Sequence, residues 1–192
     1  CIPCSDGAGE VAAVGAGVTQ FKPGDRVVCP FMPTWLEGEF SQAHASGALG
    51  GAVDGLLREL AVIRAESLLP IPDYLSTEAA ATLPCAAVTA WDALHCRGGL
   101  KAGETVLILG TGGVSVFALQ FAKLAGARVL ATTSCDIKAK HLLQLGADGA
   151  VVVDEAGVRH GDGDRREQDD EAHHHEQFDQ REAGAALRAF HG

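Results

Sequence analysis

Gly110-Thr111-Gly112-Gly113-Val114-Ser115 is the stretch of this 192-residue chain whose residue types and spacing suit a definite chemistry, the cradling of a pyrophosphate. Gly110 permits a tight turn, and Gly112 lets phosphate oxygens approach the backbone, because neither carries a Cβ. A helix beginning at Gly113 and Val114 would aim its unpaired amides and the positive end of its dipole at two phosphates. Ser115 stands at the third fingerprint position, where glycine is usual for close helix packing. A helix-capping turn of some other α/β protein is the alternative reading. Other groupings suit chemistry less well. Of the six cysteines only Cys1 and Cys4 form a C-x-x-C, so they read as reduced thiols of a cytosolic protein rather than a disulfide framework. His173, His174 and His175 are consecutive and cannot share one helix face, so no metal site is expected there.

The elements that must position the glycine turn are legible on both sides. Residues 105–109 are apolar or β-branched without alternation, which predicts a strand buried on both faces of a parallel sheet. Past the turn, Val114, Phe117, Ala118, Phe121, Ala122 and Ala125 recur at helical steps and predict a stripe that packs back on that sheet. Gly126 stops the helix, and residues 128–132 resume as a second strand reached by a right-handed crossover. Residues 137–145 read as a helix capped by Gly146, and 150–153 as a third buried strand.

Upstream, residues 10–14, 25–29 and 60–63 are strand candidates, with a turn at Lys22-Pro23-Gly24-Asp25. Residues 31–55 lack a period and read as a long loop. Ser76 can cap a helix to about Thr82, a second helix is expected over 86–94, and Gly98-Gly99 ends it. The division is therefore a β-rich part at 1–72, connecting helices at 73–100, an α/β part at 101–153, and a tail from Asp154. That tail, 154–192, holds 11 acidic residues against 5 arginines and few core-forming residues, so disorder is expected. The net charge of −10 argues against nucleic acid as a partner. No apolar run approaches the ~20 residues that span a bilayer, and a cytoplasmic protein is expected.

Read in order, SDGAGEVAAVGAGVTQFKPGDRVV, LPCAAVTAW, GTGGVSVFALQFAK and LGAD resemble the medium-chain dehydrogenase/reductase superfamily over residues 2–153. The resemblance implies an α/β fold: part of a GroES-like β domain, then a partial, doubly wound Rossmann domain, truncated at both ends and inactive as it stands. It implies a nicotinamide cofactor, hydride transfer to or from a small molecule, and no membrane partner, and it is compatible with a homodimer. Where zinc alcohol dehydrogenases show Gly-His-Glu this chain has Cys4-Ser5-Asp6, and Cys85 stands at a second zinc-cysteine position. Ser5 replaces the histidine, so the zinc-independent quinone and enoyl reductases fit better and no metal is expected. Asp6 and Thr89 are the catalytic candidates it offers, Thr89 because its position lies near the nicotinamide in relatives. Its other reading is a satisfied helix hydroxyl. An acid about 20 residues past the glycines selects NAD, and here that position is Thr132-Thr133. With Thr133, Ser134 and Lys138 there, NADP is the expected cofactor, and Asp136 leaves NAD open. The function expected is an NADP-dependent oxidoreductase acting on an alcohol or carbonyl, an enone or a quinone. The alternative is a non-catalytic remnant that binds nucleotide or a partner subunit.

Overall fold

The computed structural model describes residues 1–154 and 157–160. The chain divides into two compact units, Cys1–Cys85 and a second beginning at Ala86. In the first, β1 (Gly7–Glu10), β2 (Arg26–Cys29) and β3 (Leu69–Pro70) form a three-stranded antiparallel sheet in that order. β1 lies upstream of the expected 10–14. Val11 N–H donates to Asp25 O and Gly24 N–H to Val11 O, both at 2.9 Å, so the ladder ends at the Lys22–Asp25 turn and later residues leave the sheet. Gly7 can take this register because a Cβ there would stand 2.7 Å from Leu56.

The long loop that follows contains the short helix α1 (Gln42–Ala45) and is anchored by buried Ala48 and Leu49. Residues 60–63 form no strand. Residues 59–63 make no backbone hydrogen bond to any described residue, and Val62 is 101% exposed. A strand exists only with a partner ladder, and none of the described residues supplies one here. Helix α2 (Thr77–Ala81) starts as expected, with Ser76 Oγ accepting from Ala79 N–H at 3.1 Å. Its Ala79 and Ala80 pack with Ile71 and Leu75 in the first unit's core.

The next helical residues are π-helical at Leu83–Ala87, α-helical in α3 (Val88–Trp91) and π-helical again at Asp92–Arg97. Gly98 caps the run, as expected.

The second unit follows the expected βαβ pattern closely: β4 (Thr105–Leu109), α4 (Gly113–Leu124), β5 (Arg128–Thr133), α5 (Asp136–Gln144) and β6 (Gly149–Asp154). β4, β5 and β6 are parallel and lie side by side in chain order. Their helix-facing side chains Ile108, Val129 and Ala131 meet Leu119, Ala122 and Leu142 in one core. The units part inside the segment expected to connect them, because α2 packs on β1 and β2 whereas α3 packs on α4.

Three features depart from expectation. β4 is covered on one face only: Ile108 is buried while Leu107 and Leu109 are 61% and 70% exposed. The described helices α4 and α5 lie against the Ile108 face, so no layer of described residues covers the strand's second face. The apolar stripe of α4 is in fact two faces, with Leu119 and Ala122 on the sheet and Phe117 and Phe121 among aromatic rings that include Trp91. Lastly, a fourth strand, β7 (Gly157–His160), pairs antiparallel with β6 inside the stretch expected to lack order. Backbone groups on an open strand edge accept a partner whatever its side chains, which is why poor core-forming content did not prevent it. The rest of that expectation, with His173 to His175, lies outside the described residues. No helix among the described residues is long and apolar enough to cross a membrane.

Candidate functional site

Gly110 takes φ 83°, which an L side chain rarely adopts, and its N–H donates to Thr132 O at 3.0 Å. That bond fixes the turn to the neighbouring strand. Gly112 is the N-cap of α4, and no atom lies within 4 Å of where a Cβ on Gly110 or Gly112 would stand. Thr111 is half-buried, and Gly112, Gly113 and Val114 are exposed. The first turn of α4 carries no acidic residue, so nothing there opposes an anion. Ser115 explains its own presence at a position where glycine is usual. Its Oγ donates to Leu109 O at 2.9 Å and so closes the end of the strand onto the first turn of the helix.

At the end of β5 the three expected residues do not act alike. Thr133 is only 5% exposed, on the same face as Val129 and Ala131, and its hydroxyl has no hydrogen-bond partner among the described residues. Its side chain is turned inward, so it cannot present a hydroxyl at the surface as expected. Strand alternation is the reason, since a residue two places from buried Ala131 must share its face. Ser134 and Lys138 are exposed, and Lys138 Nζ donates to Ser134 Oγ at 3.5 Å. Asp136 lies in the first turn of α5.

In the first unit, Asp6 is half-buried and accepts from Ser5 Oγ at 3.0 Å and from the Cys85 backbone N–H. Burial raises its carboxyl above the ordinary value, and the two hydrogen bonds offset part of that rise. Cys29, buried on β2, faces the same carboxyl. Burial first, and then the Asp6 charge, push its thiol up to about 11, so it stays protonated at neutral pH. Sequence reading missed Cys29. The signal was present in the alternation of Val27 and Cys29 on a strand opposite the one that Asp6 introduces. Cys4 is the only non-glycine residue at positive φ among the described residues, at 71°, and it occupies the position of the glycine in Gly-His-Glu. Thr89, in α3 of the second unit, is exposed, and its hydroxyl bonds to no other described residue, so it is not a hydroxyl satisfied by its own helix.

The second unit fits a nicotinamide dinucleotide. The open space before Gly110 and Gly112 suits a pyrophosphate, and Ser134 and Lys138 are the exposed polar groups just past the end of β5. Ser5 spends its hydroxyl on Asp6, and among the described residues no three His, Cys, Asp or Glu side chains gather as a metal-holding group.

Residues 1–73 match the family of the alcohol dehydrogenase GroES-like domain. The chain is 49% identical over 148 residues to a zinc-type alcohol dehydrogenase-like protein of Schizosaccharomyces pombe, covering 76% of this chain and 43% of that one. It is 38% identical to a quinone oxidoreductase of Pseudomonas aeruginosa, covering 74% of this chain and 38% of that one. A crystal structure of an NAD-dependent alcohol dehydrogenase superposes with a TM-score of 0.68 at 38% identity, over 79% of this chain and 46% of that one. The chain thus spans less than half the length of each. Given the ordered motifs, the glycine-turn geometry and these likenesses, the chain belongs to the medium-chain dehydrogenase/reductase superfamily of oxidoreductases, with an alcohol dehydrogenase GroES-like domain followed by part of a nucleotide-binding domain.

Proposed function

We propose that this protein is an NADP-dependent oxidoreductase that moves hydride between NADP(H) and an alcohol or carbonyl, an enone or a quinone, without catalytic zinc. One observation carries the cofactor reading. Just past β5 the exposed Ser134 hydroxyl and, at the start of α5, the exposed Lys138 ammonium stand at the position where an NAD-selecting acid is usual, and a cation there suits a 2′-phosphate. The bound nicotinamide would supply the hydride chemistry. The protein's own part is to hold the pyrophosphate on the Gly110–Val114 backbone, to keep the turn closed through Ser115, and to read the ribose through Ser134 and Lys138. Asp6 orients the Ser5 hydroxyl by accepting its proton in a hydrogen bond. Zinc independence is supported by the donor set at Ser5, Asp6 and Cys85. A cytoplasmic setting and a homodimer are further parts of the proposal.

Titrating the chain with NADPH and NADH, read by nicotinamide fluorescence, tests the reading. NADPH is expected to bind tighter. Lys138→Ala should weaken NADPH about tenfold and leave NADH little changed, the size of one charge-assisted hydrogen bond. Ser134→Asp should reverse the preference, because position 134 is exposed, whereas an aspartate at 133 would be buried. Equal affinities that neither substitution alters would place discrimination elsewhere.

The second reading, a non-catalytic remnant that binds nucleotide or a partner subunit, is favoured by the exposed Leu107 and Leu109. It predicts saturable NADPH binding with no turnover of alcohols, aldehydes, enones or quinones by this chain.

A further inference from the structure

Trp35 and Phe40, on the long loop of the first unit, have rings in mutual contact that remain open to solvent. Their centroids lie 5.5 Å apart at 66°, and they are 38% and 51% exposed. His44 stacks on Trp35 at 5.6 Å and 12°. Two of the three rings are tied to the backbone. Trp35 Nε1 donates to Gly38 O at 3.0 Å across a turn in which Gly38 takes φ 79°, and Ser41 N–H donates to His44 Nδ1 at 3.1 Å. Fixing large rings at a surface costs side-chain entropy and gains little burial, so the arrangement is preorganised for something that covers it.

The charge around the rings indicates what that is. No lysine or arginine occurs between Arg26 and Arg58, while Glu37 and Glu39 flank Gly38, are exposed, and form no ion pair among the described residues. Aromatic faces beside two unpaired carboxylates suit a planar cation. A guanidinium can stack on a ring and bond a carboxylate at the same time, whereas an ammonium is a compact, strongly hydrated charge with no plane to stack. We infer that the Trp35–Phe40 loop tip is a docking surface for an arginine-bearing segment of a partner protein.

The test uses the full chain and a fluorescein-labelled (Arg-Gly)4 peptide, read by anisotropy at 50 and 200 mM salt. Saturable binding is expected. Trp35→Leu should weaken it at least tenfold, the double substitution Glu37→Gln with Glu39→Gln should do the same, and (Lys-Gly)4 should bind several-fold more weakly. The glutamate pair lies on the surface, so that variant keeps the test valid if Trp35→Leu perturbs the loop. Equal binding by the parent chain and both variants would overturn the inference, because the net charge of −10 alone would then account for it. Absence of binding would also overturn it. So would self-association that Trp35→Leu abolishes, since the occupant would then be a second copy.

Discussion

Cys4 carries the clearest strain at the level of single residues. Its φ of 71° lies in the left-handed region, which costs a residue with a Cβ about 1–2 kcal/mol. The backbone cannot relax, because Gly55 N–H donates to Ile2 O and Leu56 N–H to Cys4 O, and a Cβ on Gly50 would stand 2.8 Å from the Cys4 carbonyl carbon. Cys4→Gly is therefore expected to stabilise the chain by about 1 kcal/mol net of the extra freedom that glycine gives the unfolded state, read as a higher urea midpoint. Asp6 makes a prediction with a definite sign. Its folded carboxyl is raised above the ordinary 3.8, so its contribution to stability is full below that value and is lost as pH rises through the folded value. Asp6→Asn should be the more stable protein at pH 7, and the gap should close below about pH 4. A gap unchanged from pH 7 to pH 3 would show that the carboxyl is not destabilised by burial.

At the scale of elements, Asp148 of the LGAD motif joins α4 to the start of β5. Its carboxylate takes Lys123 Nζ at 2.8 and 3.0 Å and the Val129 N–H at 2.6 Å. These bonds, that of Lys123 foremost, hold its carboxyl below the ordinary value. A depressed carboxylate stabilises above its unfolded value and loses that contribution as pH falls through the folded one. Asp148→Asn should lower the thermal midpoint at pH 7, and parent and variant should converge in acid. Calorimetric scans from pH 7 to pH 3 would show this, and parallel curves throughout would refute it. The motif thus serves the fold, setting where β5 begins and hence where Ser134 emerges.

Across the whole molecule, the dominant feature is the uncovered sheet face. Leu107 and Leu109 lie adjacent on β4's outer face, and exposed apolar area of this kind drives association. Leu107→Lys with Leu109→Lys should change the unfolding free energy from urea melts by no more than about 0.5 kcal/mol, since both side chains are already largely in water, and should reduce concentration-dependent association in sedimentation velocity. A large loss of stability would mean that the face is covered in solution.

The local order of the second unit is legible in the residues alone. β4, α4, β5, α5 and β6 all fall within a residue or two of the periodic pattern, because glycines 110, 126 and 146 punctuate segments whose period is fixed by the chain's own geometry. The same local signals place Ser76 as a cap and the glycine turn at Gly110, since both depend on contacts a few residues apart. Tertiary structure alone decided which face each residue shows and which strands find partners. Thr133 turned inward and Ser134 outward because β5's register against β4 and α4 fixes a parity that composition does not carry. Residues 60–63 have strand-forming side chains and form no strand, while Gly157–His160, with Val158 as its one strand-forming side chain, forms β7. The physical reason is the same in both cases: a strand's hydrogen bonds lie between segments, so its existence is set by whether an open edge stands beside it.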